Sequence, residues 1–473
     1  MSLSRSSSRR KPVLLGAALL AVSLGAFPQP MAIAQPTSDR AVEKAAVETA
    51  AATALTLESA IARALASHPD AVIAETQVAQ AGLGVADLSA QRLQFSADAS
   101  VLGRHAQTGL LADNVAGTTT DQTGINGTVG LTVPIFTGGK LMQGLRAAER
   151  NRDAATHQAL MTRADLTYEV TRAFWNLARQ EALAQVQQET IVQARRALEL
   201  TKASYGLGRL TPNDVDRAEV DALNTQDALL RLQAQAEEAR VRLAVLVGLP
   251  ASEVRIAPDS PRKLASLEVA SDAAPPASVW PDVEGALEAH PRVQAAQARV
   301  EAARAGVAAA HGDRWPQLAL ITTYQHGNNP FDPLSGARGL GSFSGTWDAR
   351  LSANLNVFDN GRIGREVARA EGELAIAEAT LAKTRREVRS TIDIALIRAR
   401  NAQQRLALAG KSSGVAAKTL TWMETRFAQG YSLLVEVHES RRSLLTARTQ
   451  RIEAEVDYQI ARAELALALG RSE

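Results

Sequence analysis

Cysteine is absent from the 473 residues of the chain. Its absence excludes disulfide-stabilised scaffolds, thiolate metal sites, cysteine nucleophiles and a lipidated N-terminal cysteine. Aromatic residues make up only 4% of the chain, and 52 Lys and Arg residues are balanced by 50 Asp and Glu residues. A nucleic-acid-binding protein normally has a large basic excess, so this balance argues against a nucleic-acid partner.

The sequence also lacks the side-chain groupings that carry catalysis or hold a cofactor. Its seven His residues are scattered, without the paired spacing that metal ligands show. We find no Ser-His-Asp set or carboxylate pair with the spacing of a catalytic site. We therefore predict a protein that is not an enzyme and that has no metal and no cofactor.

Long apolar runs are missing except near the N-terminus, where residues 1–34 have the three parts of a secretory signal peptide. A basic stretch precedes an apolar run from Val13 to Phe27, and Ala32-Ile33-Ala34 offers a cleavage site. The run is shorter than the ~20 residues of a membrane-spanning helix, which disfavours an uncleaved anchor. The sequence predicts export, with cleavage near Ala34. Any membrane insertion of the remaining chain must then use β-strands.

The most informative feature is an internal duplication. Four pairs of similar positions share one separation of 222 residues: His68 and His290, Phe136 and Phe358, Gly208 and Gly430, Gly248 and Gly470. Chance accounts for one such match far more easily than for four at one spacing. We therefore predict two structural repeats, 55–250 and 281–473, joined by a Pro-rich connector at 251–280 and preceded by an N-terminal tail at 35–54.

Each repeat is predicted to contain a short helix, two strands, a long helix and a final helix. The predicted helices are Pro69–Arg92, Lys140–Ser204 and Asn213–Val247 in the first repeat and Pro291–Arg314, Arg362–Arg426 and Val435–Leu469 in the second. The predicted strands are about 94–105 and 124–136, then 317–326 and 347–358. Flexible strand-to-helix turns are predicted at Gly138-Gly139 and Asn360-Gly361.

The long helices have heptad character with many small residues, which also fits an ordinary two-stranded coiled coil. At about 1.5 Å per residue each long helix spans roughly 100 Å. The two shorter helices of a repeat together have nearly the same length. We therefore expect them to stack end to end along the long helix, as in the wall of a cylinder.

The predicted strands alternate between apolar and polar residues. Trp347, Leu351 and Val357 share one face, and Asp348 and Arg350 lie on the other. About eleven alternating residues suit a tilted strand that crosses a bilayer, although a half-buried strand of a soluble sandwich alternates in the same way. The strand at 317–326 has no clear apolar face. Four strands are too few to close a membrane barrel, so several chains must combine.

The His-Pro helix starts, the segments Pro134–Gly139 and Phe358–Arg362, and the turns Tyr205–Pro212 and Phe427–Leu434 together resemble the outer-membrane efflux protein (TolC-like) family. The resemblance covers about Leu55 to Gly470. It implies a mainly α fold with membrane β-strands, in which a duplicated strand-helix repeat forms a trimeric 12-stranded β-barrel continued by a periplasmic α-helical barrel.

The resemblance also implies a function and partners. The protein would be a homotrimeric exit duct in the outer membrane of a Gram-negative bacterium, in contact with outer-membrane lipid. A periplasmic adaptor and an inner-membrane RND or ABC pump would deliver its substrates. The alternatives are the outer-membrane component of a type I protein secretion system and, in a different class, an exported structural coiled-coil protein without a pore.

In the family, the turns between the long hairpin helices lie at the periplasmic tip, where the duct narrows. The resemblance implies gate candidates at this tip: Glu436, Glu439 and Asp214. It implies turn and adaptor-contact candidates as well: Gly208, Arg209, Gly430, Tyr431 and Ser432. The two Glu residues lie on one helix face and would form an acidic ring, or they simply complement the helix dipole.

One departure from the family concerns how the tip closes. Family members hold the acid at the position of Asp214 with a Tyr and an Arg from the second turn. Here those positions are Phe427 and Ser432, which cannot donate the same hydrogen bonds. We expect other partners, such as Arg209 or Arg426, or a looser closure.

Overall fold

The structure is a computed structural model that describes residues 55–108, 118–208, 211–257, 282–328, 344–429, 431–432 and 434–471. The predicted signal peptide and N-terminal tail lie outside these residues, as does most of the predicted connector. The limits predicted for the repeats and the connector therefore stay predictions.

Eight α-helices, a short 3₁₀ helix (Ala251–Glu253) and four strands are described. The first repeat contains α1 (Leu57–Ser67), α2 (Pro69–Ala90), β1 (Gln94–Thr108), β2 (Thr118–Phe136), α3 (Lys140–Gly206) and α4 (Pro212–Val247). The second contains α5 (Val283–Ala289), α6 (Pro291–Gly312), β3 (Gln317–Asn328), β4 (Ser344–Asn354), α7 (Arg362–Ala428) and α8 (Leu434–Ala468). Within the described residues, none of the helices has both the length and the apolar character needed to cross a membrane.

The short helices α1 and α5 were not predicted from the sequence. Thr56 caps α1 and exchanges hydrogen bonds with Ser59, and Asp282 caps α5 by accepting from the Glu284 amide. Each helix ends at the His of a His-Pro pair, because the residue before a proline is disfavoured in the α conformation. The prediction placed the start of each helix at the proline and so did not include the short helix before it.

The two His-Pro pairs begin α2 and α6 by the same capping geometry. Proline occupies the first helical position, and the Nδ1 atoms of His68 and His290 accept from the amides of Asp70 and Arg292 at 3.3 and 3.1 Å. His290 is only 3% exposed. Burial, together with the nearby Arg292, lowers the pKa of the His290 ring to about 4. This imidazole is therefore neutral in the folded protein near neutral pH.

The shorter helices stack along the long ones, as their lengths predicted. Helices α2 and α4 both pack on α3, whereas α6 and α8 pack on both α3 and α7. Gly248, just after α4, approaches Ser67 just before α2, and Gly470, just after α8, approaches Pro291 at the start of α6. In the half of the layer next to the sheet, the helices therefore lie side by side in the order α2, α3, α6, α7. In the other half, the order is α4, α3, α8, α7.

The largest buried cluster lies where the first repeat meets α8. Phe174 and Leu177 of α3 pack with Leu243 of α4 and Val456 of α8, all nearly inaccessible. Residues 251–257, at the start of the predicted connector, also pack here. Leu55 bonds to this segment through the Arg255 carbonyl at 2.7 Å and the Ala257 amide at 3.0 Å.

The four strands form one antiparallel sheet in the order β1-β2-β3-β4. Its register assigns the faces of β3 that the sequence left open. Tyr324 pairs with Val129 on one side and Trp347 on the other. Directly paired residues share a face, so Leu318, Leu320, Thr322 and Tyr324 lie on the apolar face. Ile321, which pairs with Arg350, lies on the polar face.

The strand ends differ from those predicted. Strand β4 ends at Asn354, before the predicted end at Phe358, because its partner β3 begins at Gln317, opposite Asn354. The residues after Asn354 have no neighbouring strand to bond. The β1–β2 pair is longer than predicted and reaches Thr108 and Thr118.

The residues at both predicted strand-to-helix turns have a left-handed backbone. Gly138, Gly139, Asn360 and Gly361 have φ angles of 63°, 84°, 52° and 74°. The first turn also joins the two repeats. A Cβ on Gly138 would lie 2.2 Å from the carbonyl oxygen of Gly312 at the end of α6, and Lys140 Nζ bonds both carboxylate oxygens of Asp313 at 2.9 Å.

Gly138→Ala is expected to destabilise the protein by about 3 kcal/mol or more, because it adds a backbone clash to the φ strain. Gly139→Ala is the matched control. Its φ is also positive but nothing lies within 4 Å of the added methyl group, so it should cost only about 1–2 kcal/mol. Urea unfolding of both variants checks this, and equal losses would contradict the close contact between the repeats.

His290 makes stability depend on pH. Its pKa is about 4 in the folded protein against 6.5 ordinarily. The contribution of the buried neutral ring to the free energy of unfolding is therefore complete above pH 6.5 and is lost as the pH falls toward 4. At 1.36 kcal/mol per pKa unit, the loss is about 2 kcal/mol by about pH 5. In urea unfolding, His290→Asn should remove most of this loss while keeping a capping oxygen. His68→Asn, the equivalent change in the first repeat, should leave the loss nearly intact; equal effects of the two would refute the assignment.

Candidate functional site at the turns between the long hairpins

The turns α3–α4 and α7–α8 lie at the same end of the helical layer. Helices α3 and α8 run antiparallel, with Arg179 bonded to Asp457 at 2.9 Å and Glu189 facing Arg448 at 3.5 Å. Continuing this register along both helices brings the end of α3, near Tyr205, level with the α7–α8 turn. The described candidates from the two repeats therefore occupy one region.

The first turn is closed by its own residues. Gly208 has a φ of 75°, and the Asp214 carboxylate accepts from the amide and hydroxyl of Thr211 at 2.9 and 2.7 Å. These hydrogen bonds lower the pKa of Asp214. Asp214 thus completes the capping box of α4, whose N-cap is Thr211. Arg209 lies outside the described residues.

The second turn is held by Arg426. The Tyr431 amide donates to the Arg426 carbonyl at 2.9 Å, and the Arg426 guanidinium donates to the Tyr431 carbonyl at 3.2 Å. The same guanidinium lies 4.8 Å from the ring centre of Trp422. Ser432 donates to the Met423 carbonyl at 3.4 Å, within its own hairpin. Gly430 lies outside the described residues.

The two acidic gate candidates lie at the start of α8, on either side of a buried residue. Val437 is buried, whereas Glu436 and Glu439 are exposed. Their spacing of three residues keeps both carboxylates on one side of the helix. Their role in a gate stays a prediction.

A group of exposed apolar side chains surrounds both turns, and only Tyr431 among them is a predicted adaptor-contact candidate. The group consists of Tyr205, Leu207, Trp422, Phe427, Tyr431 and Val435. Exposed apolar groups at one place on a soluble surface typically mark contact with another protein. The sequence indicates this group through aromatic residues that concentrate near the two turns of a chain with few aromatic residues.

Comparison with known proteins identifies the family. Residues 60–249 and 283–471 match the outer membrane efflux protein family, and the chain belongs to that family. The two matched blocks confirm the predicted duplication. This is a family of channels, not of enzymes. A comparison with curated proteins finds no match.

Solved structures of outer-membrane proteins have the same fold. The chain is similar to VceC from Vibrio cholerae, with 20% identity, a TM-score of 0.68 and coverage of 88% of this chain and 96% of that one. It is also similar to the Campylobacter jejuni CmeC channel (17%, 0.69, 88% and 85%). The open state of the Neisseria gonorrhoeae MtrE channel is a third similar structure (17%, 0.67, 88% and 89%).

Arg426→Ala is expected to loosen the second turn by about 1–2 kcal/mol, since it removes a cation–π contact and a hydrogen bond to a carbonyl. Amide hydrogen exchange at Tyr431 should accelerate roughly tenfold. Lys418→Ala, on the same helix, is the control and should leave this exchange unchanged. An unaltered rate in Arg426→Ala would show that the backbone alone holds the turn.

Proposed function

We propose that the chain is one subunit of a homotrimeric exit duct, through which an inner-membrane pump of the RND or ABC type expels substrates across the outer membrane. A periplasmic adaptor connects pump and duct. The observation that carries the proposal is a four-stranded sheet with one apolar face and two open edges, continued directly by ~100 Å helices.

The open edges support assembly. Among the described residues, β1 pairs only with β2, and β4 only with β3. Lipid supplies no hydrogen-bond partners, so each edge needs a strand from another chain. Three copies bring twelve strands, above the minimum of about eight in single-chain barrels.

The helical layer has matching edges. Helix α4 carries exposed apolar side chains at Val220, Leu223, Leu230, Val241 and Val245, and α7 carries them at Ile397, Leu408, Val415 and Trp422. These helices flank the layer at the end of the hairpin turns, and their chain directions are opposite. Packing α4 of one subunit on α7 of the next continues the antiparallel alternation and removes both apolar stripes from water.

The turns at the periplasmic end fit the remaining roles. In a trimer, six carboxylates from Glu436 and Glu439 would surround the opening and favour cations. The exposed apolar group around Leu207 and Tyr431 offers contact to the adaptor. Because Asp214 and Arg426 are bonded within their own turns, closure relies on packing between subunits instead of a bond from Asp214 to the second turn.

A type I protein secretion duct uses the same fold, so it is the second candidate. It is favoured if the protein co-purifies with an ABC pump, and efflux is favoured if the pump is proton-driven. A structural coiled-coil protein without a pore would leave the apolar face of the sheet unexplained.

Planar-bilayer recordings of the purified full-length protein test the proposal. The wild type should conduct with cation preference, and Glu436→Ala with Glu439→Ala should shift the reversal potential toward zero and weaken block by divalent cations. Glu371→Ala with Glu373→Ala, on α7 far from the turns, is the charge-matched control. Unchanged selectivity would remove the two acids from the gate, and absence of conductance would contradict the duct itself.

A further inference from the structure

All four junctions between sheet and helices carry a basic residue at one end of the sheet. Arg92 precedes β1, Lys140 follows β2, Arg314 precedes β3 and Arg362 follows the segment after β4. Because consecutive strands are antiparallel, all four junctions lie at the same end of the sheet. Arg92 corresponds to Arg314 and Lys140 to Arg362 in the duplication, so both repeats have the same pattern.

Local helix energetics explain only half of this pattern. Arg92 and Arg314 follow the ends of α2 and α6, where a positive charge complements the helix dipole. Lys140 and Arg362 are the first residues of α3 and α7, where the dipole disfavours a positive charge. A partner outside the helix must compensate for these two.

Two acids in these segments offset part of the charge, since the Asp359 carboxylate interacts electrostatically with Arg362 and Asp313 with Lys140. Asp313 pairs with Lys140 at 2.9 Å. The Asp359 carboxylate accepts from the amides of Gly361 and Ile363 at 3.0 and 2.7 Å. Among the residues that the structure describes, no carboxylate forms a salt bridge with Arg92, Arg314 or Arg362. Three exposed guanidinium groups per chain are thus outside any salt bridge with a described carboxylate.

A belt of exposed apolar side chains lies directly on the sheet side of these bases. It includes Leu93, Phe95, Ile135, Trp315, Val357 and Phe358, with Trp315 60%, Val357 88% and Phe358 87% exposed. Aromatic residues beside bases are the arrangement that proteins place at a membrane interface. On the described apolar face of the sheet itself, from Phe95 to Ala353, no Lys or Arg occurs.

We propose that Arg92, Arg314 and Arg362 form a binding surface for the phosphates of anionic glycerophospholipids in the leaflet on the helix side of the membrane. The inference rests on the proposed membrane insertion and adds a lipid class to it. Guanidinium groups match phosphate in geometry and charge. The apolar belt takes the acyl chains while the bases lie at headgroup level.

Quenching of Trp315 by brominated lipids tests the proposal. The full-length protein with Trp347→Phe, which leaves Trp315 as the tryptophan on this part of the sheet, is reconstituted into phosphatidylcholine vesicles containing brominated phosphatidylglycerol or brominated phosphatidylcholine. We expect at least about threefold preference for the anionic lipid, reduced in high salt. Equal binding of the two brominated lipids by the wild type would overturn the proposal.

The variants assign the preference to the bases. Arg92→Gln, Arg314→Gln and Arg362→Gln together should abolish it, and Arg314→Gln alone should reduce it. Arg195→Gln, Arg196→Gln and Arg242→Gln, on α3 and α4, remove the same charge away from the sheet and should leave it unchanged. If the triple variant of Arg92, Arg314 and Arg362 keeps the preference for the anionic lipid, the proposal is overturned. Quenching by neither lipid would instead contradict membrane insertion, so the two failures are distinguishable.

Discussion

Unpaired backbone groups at the edge of a sheet cost several kcal/mol each in a medium without water. In this chain the requirement falls on β1 and β4, which flank a sheet whose apolar face includes the largely exposed Trp347 and Leu351. The helices have a similar requirement, because α4 and α7 carry apolar stripes that no described residue covers. The subunit therefore has two kinds of edge, and one arrangement of identical copies satisfies both.

The duplication shows how one backbone solution uses different side chains. Thr137 and Asp359 occupy equivalent positions and accept from the equivalent amides of Leu141 and Ile363 at 3.3 and 2.7 Å. The following turn is Gly-Gly in one repeat and Asn-Gly in the other, with positive φ in both. Of the three glycines in these turns, only Gly138 lies so close to Gly312 that an added Cβ would be 2.2 Å from its carbonyl oxygen. The contact between repeats thus imposes a stricter requirement on one copy than the duplication alone does.

The sequence was enough to predict the elements whose chemistry is local. His-Pro starts, Gly turns and heptads each depend on a few neighbouring residues. The faces of β3 were not predictable because Leu318, Leu320 and Ile321 break the alternation, and only pairing with β2 and β4 decides between them. The capping role of Asp214 was available from the spacing Thr211 to Asp214, whereas the contact of Arg426 with Trp422 and Tyr431 depends on the shape of the folded turn.

The central claim is that the folded subunit is complete only with its copies, and the mass of the purified protein in detergent tests it most directly. Native mass spectrometry should give a single species of three chains that loses its structure when the chains separate. A stable, folded species with the mass of one chain would contradict the account.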